Sequence, residues 1–464
     1  MLRRNAPPEE PEWHRTATRS VLLAEERART DSRQRALAQQ EAYGQQRAHA
    51  AQMAQQHANA AYAQQQAQLA HQQAQHQAWM QQQQYSAHYV TARAQANPTP
   101  RPTLRTWMLS GFVAIASLVL VLLFALYYGL SFGILLTLLS VITALIPLVL
   151  VIPIFLWLDR FEAEPWRYLV TAFLYGALGS TFLAIFVNTI AGVVFASLTD
   201  AESASVLTAV ISAPLAEETF KGLFLLVMWL LLRKQFNGLT DGIVYAGIVA
   251  AGFAFTENIQ YFAGAFMNQG PVGFGVTFGL RGLATPFLHP MFTTMTGIGV
   301  GVAAVSRSMP VKFIAPFLGW CAAVLLHGLW NLSASTGLVG LIIGLAVGFL
   351  CFVGFIVFVV WTRNREGRVI GEHLMAYVDT GWISREEVGM LASMKARRGA
   401  RTWAKFHRGP QGVKSMRSFQ DSASELALLR FRMLSHTADF ESLQRERILL
   451  DSMTARRREF AGVA

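Results

Sequence analysis

Charge is scarce in this chain: only 14% of its 464 residues are charged, against 53% hydrophobic. Water-soluble domains carry roughly 25% charged residues, so a soluble globule is excluded and a membrane protein is the first expectation. Cysteine is scarcer still. The two present, Cys321 and Cys351, both fall inside apolar runs, which leaves no disulfide framework and no thiolate zinc site. An early apolar core is missing too. The N-terminus runs from Met1-Leu-Arg-Arg into Pro, Glu and a long polar tract, unlike a signal peptide. The net charge of +11 is not spread along the chain. Residues 1–106 hold 12 Arg against 7 acids, residues 362–464 hold 19 Lys and Arg against 12 acids, and the middle holds 8 against 9. Basic tails beside a near-neutral apolar middle fit an anionic membrane face, and no nucleic-acid partner is expected.

Three regions follow from composition. Residues 1–106 form a polar tail whose stretch from about Gln39 to Gln95 is nearly all Ala, Gln, His and Tyr. It is expected to be helical or disordered and has no core of its own. The breaker Asn97-Pro98-Thr99-Pro100-Arg101-Pro102 ends it. Residues 107–361 are apolar, and residues 362–464 return to amphipathic, basic sequence. That last part reads as a cytoplasmic helical module, broken at Gly381-Trp382, with no catalytic signature. Both tails are candidates for docking regulatory proteins.

The apolar middle divides into about eight stretches that can each span a bilayer core, which takes about 20 helical residues. Their limits are 107–128, 131–158, 168–198, 204–232, 242–266, 275–305, 313–335 and 338–361. The fold class expected is therefore all-α, a polytopic membrane helix bundle. One set of loops carries Arg160 and Arg167, Arg233 and Lys234, and Arg307 and Lys312, while the opposite set carries Asp200, Glu202 and no Lys or Arg. By the positive-inside rule the first set is cytoplasmic, which puts both termini in the cytoplasm of a cell-membrane protein.

Inside these stretches the ionisable residues are Glu217, Glu218, Lys221, Glu257, Arg281, His289 and His327, none of them in the first three spans. Charge at bilayer depth needs a partner or a purpose. Counting about 1.5 Å per residue from the cytoplasmic ends puts Glu217, Glu257, His289 and His327 at one depth, about 22–27 Å up four successive helices. That points to one site. Glu217 and Glu218 differ by about 100° around their helix, so one faces the site and the other a neighbouring helix. Lys221, one turn on, is expected to neutralise a carboxylate. Arg281 reads as an outer-face residue that snorkels, Asn188 as interhelical glue, and Gly297, Gly299 and Gly301 as close helix packing. Two or three carboxylates, two imidazoles, a lysine and Asn331 around one buried point suit hydrolysis, with Glu activating water and Asn331 or a histidine holding the oxyanion. His289, His327 and Glu257 also make a three-ligand zinc set. Proton- or cation-coupled transport uses the same groups and is the alternative.

The same residues resemble the motifs of the PrsW family of intramembrane proteases, relatives of the type II CAAX prenyl endopeptidases and of the multispanning scaffold subunit of gamma-secretase. E-E-x-x-K appears as Glu217-Glu218-Thr-Phe-Lys221, F-x-x-x-E-N as Phe253-Ala-Phe-Thr-Glu257-Asn258, and H-x-x-x-N as His327-Gly-Leu-Trp-Asn331, with the lone His289 between. Asp159-Arg-Phe-Glu162-Ala-Glu164-Pro165 matches the family's acidic loop. Glu257 stands where the CAAX enzymes carry histidine, which sets a prenyl-peptide substrate aside. The resemblance implies an endopeptidase that cuts a membrane-anchored protein such as an anti-sigma factor. It assigns Glu217 as base, His289 and His327 to a metal or the water, Asn331 to the oxyanion, and Glu218, Glu257, Lys221, Phe253 and Asn258 to the site and its support. Two histidines with Glu257 satisfy either a zinc enzyme or a metal-free glutamate protease, and all three are expected to converge on one point.

Overall fold

The computed structural model describes residues 26–70, apart from 28, 36, 42 and 69, and residues 104–461, apart from 233–235, 237 and 436–440. The chain divides at residue 99 into two units. Described residues of the first are helical between 26 and 70 (α1), with exposed side chains. The rest of the Gln-rich tract and the proline breaker lie outside the described residues.

Among its described residues the regular elements of the second unit are all helices. Two long apolar helices open it, α2 (Leu104–Phe132) and α3 (Ile134–Leu158), joined at Gly133, whose φ of 80° favours glycine. α4 (Trp166–Leu174) and α5 (Thr181–Leu198) are one run interrupted by a π turn at Tyr175–Ser180. α6 (Ala201–Leu207) starts at Asp200, whose carboxylate accepts the free N–H groups of Glu202 and Ser203. It continues through a second π turn, Thr208–Ser212, into α7 (Ala213–Leu231). α8 (Leu239–Thr277) bends at Gly270, where φ is 62° and Pro271 follows. A third π turn, Phe278–Ala284, leads to α9 (Leu288–Val305), then come α10 (Met309–Ser335) and α11 (Gly337–Leu374). A capping box at Ser384 and Glu387 starts α12 (Arg385–Leu391). α13 (Met394–Leu434) and α14 (Ser442–Ala461) complete the chain.

Among the described residues, six helical segments are long and apolar enough to cross a membrane. The difference from the eight stretches in the sequence has two causes. α8, the third π turn and α9 run together as Leu239–Val305, and α7 carries Glu217, Glu218 and Lys221 in its first half. The stretch 275–305 is also not one continuous helix, since it breaks at residues 285–287.

α8 is the hub. Its first half is buried almost throughout, while α2, α3 and α11 turn residues such as Leu130, Leu135 and Val339 outward, as a lipid-facing layer requires. Bilayer lipid offers no hydrophobic drive for helices to associate, so they gain by close backbone approach. A Cβ on Gly297 of α9 would fall 2.1 Å from the Gly242 carbonyl oxygen, and one on Gly252 the same distance from that of Phe173 in α4. Asn188 accepts from Ser212 at 2.8 Å, tying α5 to the π turn before α7. The close packing expected of the Gly297 segment and the interhelical bond expected of Asn188 are both present.

The loop at 159–165 is held by buried acids. Asp159 accepts the Glu164 N–H at 2.9 Å, and Glu164 accepts the Tyr245 hydroxyl at 2.6 Å. Burial, with neighbouring Asp241, outweighs these bonds and pushes the Asp159 carboxyl up to about 9 and that of Glu164 up to about 10.

Two outcomes follow. Gly297→Val forces α8 and α9 apart and should lower the thermal midpoint in detergent, whereas Gly264→Val, with open space around it, should not. The folded state also binds more protons than the unfolded one between pH ~4 and the raised values, so this loop's stabilisation is complete at acid pH and fades as pH rises. Asp159→Asn should flatten the dependence of thermal midpoint on pH and raise its alkaline end; parallel wild-type and variant curves would refute it.

Candidate functional site

Glu217, Glu218 and Lys221 stand on the first turns of α7, placed there by the π turn that re-phases the helix before Ala213. Lys221 is fully buried, and its ammonium group lies 2.8 Å from Glu218 Oε1, 3.4 Å from Glu217 Oε2 and 3.2 Å from His289 Nδ1. It also sits 3.9 Å above the centre of the Phe253 ring, a position where the negative face of an aromatic ring favours a cation. Phe253 thereby floors the site from α8.

Glu218 is enclosed. Its Oε1 lies 3.1 Å from His327 Nδ1 and its Oε2 accepts the Thr293 hydroxyl at 2.8 Å, so α7 is joined to α9 and α10 through one carboxylate. A carboxylate at Nδ1 fixes the proton there and leaves the His327 Nε2 lone pair free. That nitrogen lies 4.0 Å from Glu217 Oε2. The His289 and His327 rings meet edge to face at 5.1 Å.

Glu257, one turn beyond Phe253, lies 2.8 Å from His289 Nε2 and forms an ion pair with Arg281. Arg281 donates its Nε–H to Asn258 at 2.9 Å and stacks 3.9 Å from the Tyr261 ring centre. The outer-face, snorkelling role expected of Arg281 is thus corrected: the π turn points the guanidinium inward, where Glu257 neutralises it. No i, i+3 or i, i+4 spacing links Arg281 to Glu257, so sequence alone gave no signal beyond an unpaired buried charge.

His289 lies against both His327 and Glu257, but the donor atoms that all lie within 4.8 Å of one another belong to Glu217, His289 and His327. Glu257 is drawn aside by Arg281. Asn331 is drawn aside too, since its amide N–H donates to the Ala209 carbonyl at 2.7 Å and braces α10 against the second π turn.

A cavity of about 960 Å³ reaches this cluster, at the upper end of the range for ligand pockets. Glu217, Glu257 and Phe253 form its inner end, and Tyr261, Gln260 and Asn268 line it farther out. Its remaining walls come from the end of α2, from α5 along its length, from α6 and the second π turn, and from α8 on both sides of the Gly270 bend.

Residues 164–362 match the model of the PrsW family of intramembrane metalloproteases. Protease PrsW of Clostridioides difficile (strain 630) is 26% identical over 173 residues, 37% of this chain and 69% of that protein. Over that stretch the chain is similar to intramembrane metalloproteases of the PrsW family. No solved structure matches it. The matched region takes in every residue of the cluster, so the family's peptidase activity and the buried polar centre fall on the same helices. The transport alternative is accordingly dropped.

The Arg281–Glu257 pair is open to direct measurement. Removing one partner of a buried ion pair costs on the order of 3 kcal/mol because the other charge is stranded. Arg281→Gln should therefore lower the thermal midpoint in detergent, and Arg281→Gln with Glu257→Gln should recover part of the loss. A double variant no more stable than the single one would sink the pairing.

Proposed function

We propose that this protein cuts a single-span, membrane-anchored protein with a water activated by Glu217. The observation that carries this reading is that Glu217, alone among the α7 cluster, also lines the large cavity. Glu218 and Lys221 are sealed behind it. A substrate strand laid in the cavity meets Glu217 first, and a water held there lies beside the free Nε2 of His327.

Proton traffic then follows from positions. Glu217 accepts the proton of the attacking water and returns it to the leaving amine, as a general base and acid does. Lys221 supplies the fixed positive charge closest to that point, and it favours the oxyanion as negative charge develops on the scissile carbonyl. Glu218 keeps His327 oriented, and Glu257 does the same for His289 through Nε2. Asn331 acts as a brace and not as an oxyanion donor.

The donor set also fits a divalent metal. Glu217, His289 and His327 supply the one-carboxylate, two-histidine chemistry of catalytic zinc sites, and Glu218 on the far nitrogen of His327 is the carboxylate that such histidines carry. Zinc there would supply Lewis acidity and a more acidic water. The Lys221 ammonium group faces two of the same donors, so an ion would have to compete with it.

The cavity lining extends to Ala196, Ala201 and Ala204, beside Asp200 and Glu202. Read with the loop charges, this supports a cut in the outer half of a cell-membrane bilayer, with eight passes and both termini cytoplasmic. An anti-sigma factor has the required form. The tails, residues 1–106 and 362–464, would then act from the cytoplasmic side on a protease domain at 107–361.

Cleavage of a model single-span substrate in proteoliposomes tests the assignment. Glu217→Gln should cost about a hundredfold or more in rate with insertion and thermal midpoint retained. A near-wild-type rate would move the base to Glu257, the other carboxylate in the cavity. Elemental analysis of the purified protein should show about one zinc that is lost in His289→Ala and His327→Ala and kept in Glu257→Gln. Zinc that instead follows Glu257 would restore the set expected from sequence.

A further inference from the structure

Between Met394 and Gln420 the chain carries Lys395, Arg397, Arg398, Arg401, Lys405, Arg408, Lys414 and Arg417 and not one Asp or Glu. Nothing in the protease mechanism uses these charges. The stretch begins α13, which bends at Gly409, where φ is 60° and Pro410 follows. The segment before the bend is therefore a short helix of its own direction, 394–408.

One of its bases points inward and fixes its place. Arg397 is 1% exposed and donates to the backbone carbonyls of Leu391 and Phe161 and to the Ser424 hydroxyl. Phe161 lies three residues beyond the end of α3 and is itself buried in the core formed by α12, α13 and α14. The helix is thus clamped to the point where an apolar span leaves the bilayer. Other cations gather at the same point. Arg363, just past the apolar run of α11, stacks 3.7 Å from the ring centre of Trp157 in the last turn of α3, and Arg160 and Arg398 are close enough to repel it. Burial, with the charges of Arg417, Arg160 and Arg398, also lowers the pKa of Arg401, opposed by Asp421.

The opposite face of the segment is exposed and mixed in a particular way. Lys395, Arg398 and Lys405 are exposed there, with Arg408 exposed at the end of the segment, and among them Phe406 is 84% and Trp403 45% exposed, with Trp403 stacked on His407. Bare aromatic rings set among bases are costly against water and well suited to a lipid interface, where rings enter the headgroup layer and bases meet phosphate. The nearest polyanion to a helix clamped at a span end is the bilayer itself.

We propose that the outward 394–408 face of α13 is a lipid-binding surface that rests on the membrane and engages the phosphate groups of anionic lipids through Lys395, Arg398 and Lys405, with Arg408 at its end and Phe406 and Trp403 entering the interface. The surface holds the C-terminal module beside the protease domain on whichever side of the membrane it lies. It stands independently of the catalytic assignment.

The test uses the full chain with Cys321 and Cys351 replaced by Ala and a polarity-sensitive fluorophore on Thr402→Cys, an exposed position on this face. The protein is placed in nanodiscs of phosphatidylcholine with or without phosphatidylglycerol, each containing a headgroup-region spin-labelled lipid. Quenching should be about fivefold stronger with phosphatidylglycerol, as expected where several basic residues each gain from anionic lipid. It should fall at high salt, and fall in Lys395→Glu/Arg398→Glu/Lys405→Glu/Arg408→Glu. Phe406→Ser with Trp403→Ser, which changes only exposed side chains, should reduce quenching with the charges intact. Equal quenching in both discs, or none in either, overturns the proposal. Loss of quenching with inorganic phosphate beyond that caused by chloride at the same ionic strength overturns it as well, because free phosphate and not the lipid headgroup would then be the ligand.

Discussion

A single ammonium group holds the centre of this protein together. Lys221 is buried among apolar helices, where an unpaired charge would be prohibitive, and it is tolerated because Glu217, Glu218 and His289 lie within 3.4 Å of it and the Phe253 ring lies beneath it. The dependence runs both ways. Without the lysine, adjacent carboxylates on consecutive residues of one helix would repel each other in a medium that screens them poorly. The cluster therefore demands that α7, α8, α9 and α10 meet at one depth, and the small-residue contacts of α8 with α4 and α9 are what let them.

Irregular backbone does the aiming. Three π turns interrupt otherwise ordinary apolar helices, and each stands next to part of the site. The one at Thr208–Ser212 precedes the two glutamates and offers the Ala209 carbonyl to Asn331. The one at Phe278–Ala284 swings Arg281 onto Glu257. Such insertions are frequent at functional sites because one extra residue per turn rotates everything that follows.

Away from the site, the C-terminal module is built into the protein and not appended to it. α11 runs without a break from apolar sequence into Leu374, Phe161 from the α3–α4 loop enters the module's core, and Arg397 ties that loop to α12 and α13. The module thus shares its core with the acidic loop whose Glu164 bonds Tyr245 of α8.

Much of this was legible in the residues alone. Long apolar runs dictate membrane helices because every backbone polar group must be satisfied within the bilayer. Seven ionisable residues confined to later spans mark a site because each is too costly to be incidental. The turning of one of Glu217 and Glu218 toward a neighbouring helix, the neutralising role of Lys221 and the small-residue packing at Gly297 were equally local readings, fixed by rise and rotation along one helix. Partner choice was not. Whether Glu257 joined the two histidines or Arg281, whether Asn331 faced a substrate or the Ala209 carbonyl, and where the stretch 275–305 would break all depended on azimuth after a π turn or a bend. A count of 1.5 Å per residue carries depth but no rotation once the helix is irregular. The sequence determined which groups had to be buried together, because burial energy is a property of each side chain; only the packed helices decided who bonds to whom, because that is a property of directions.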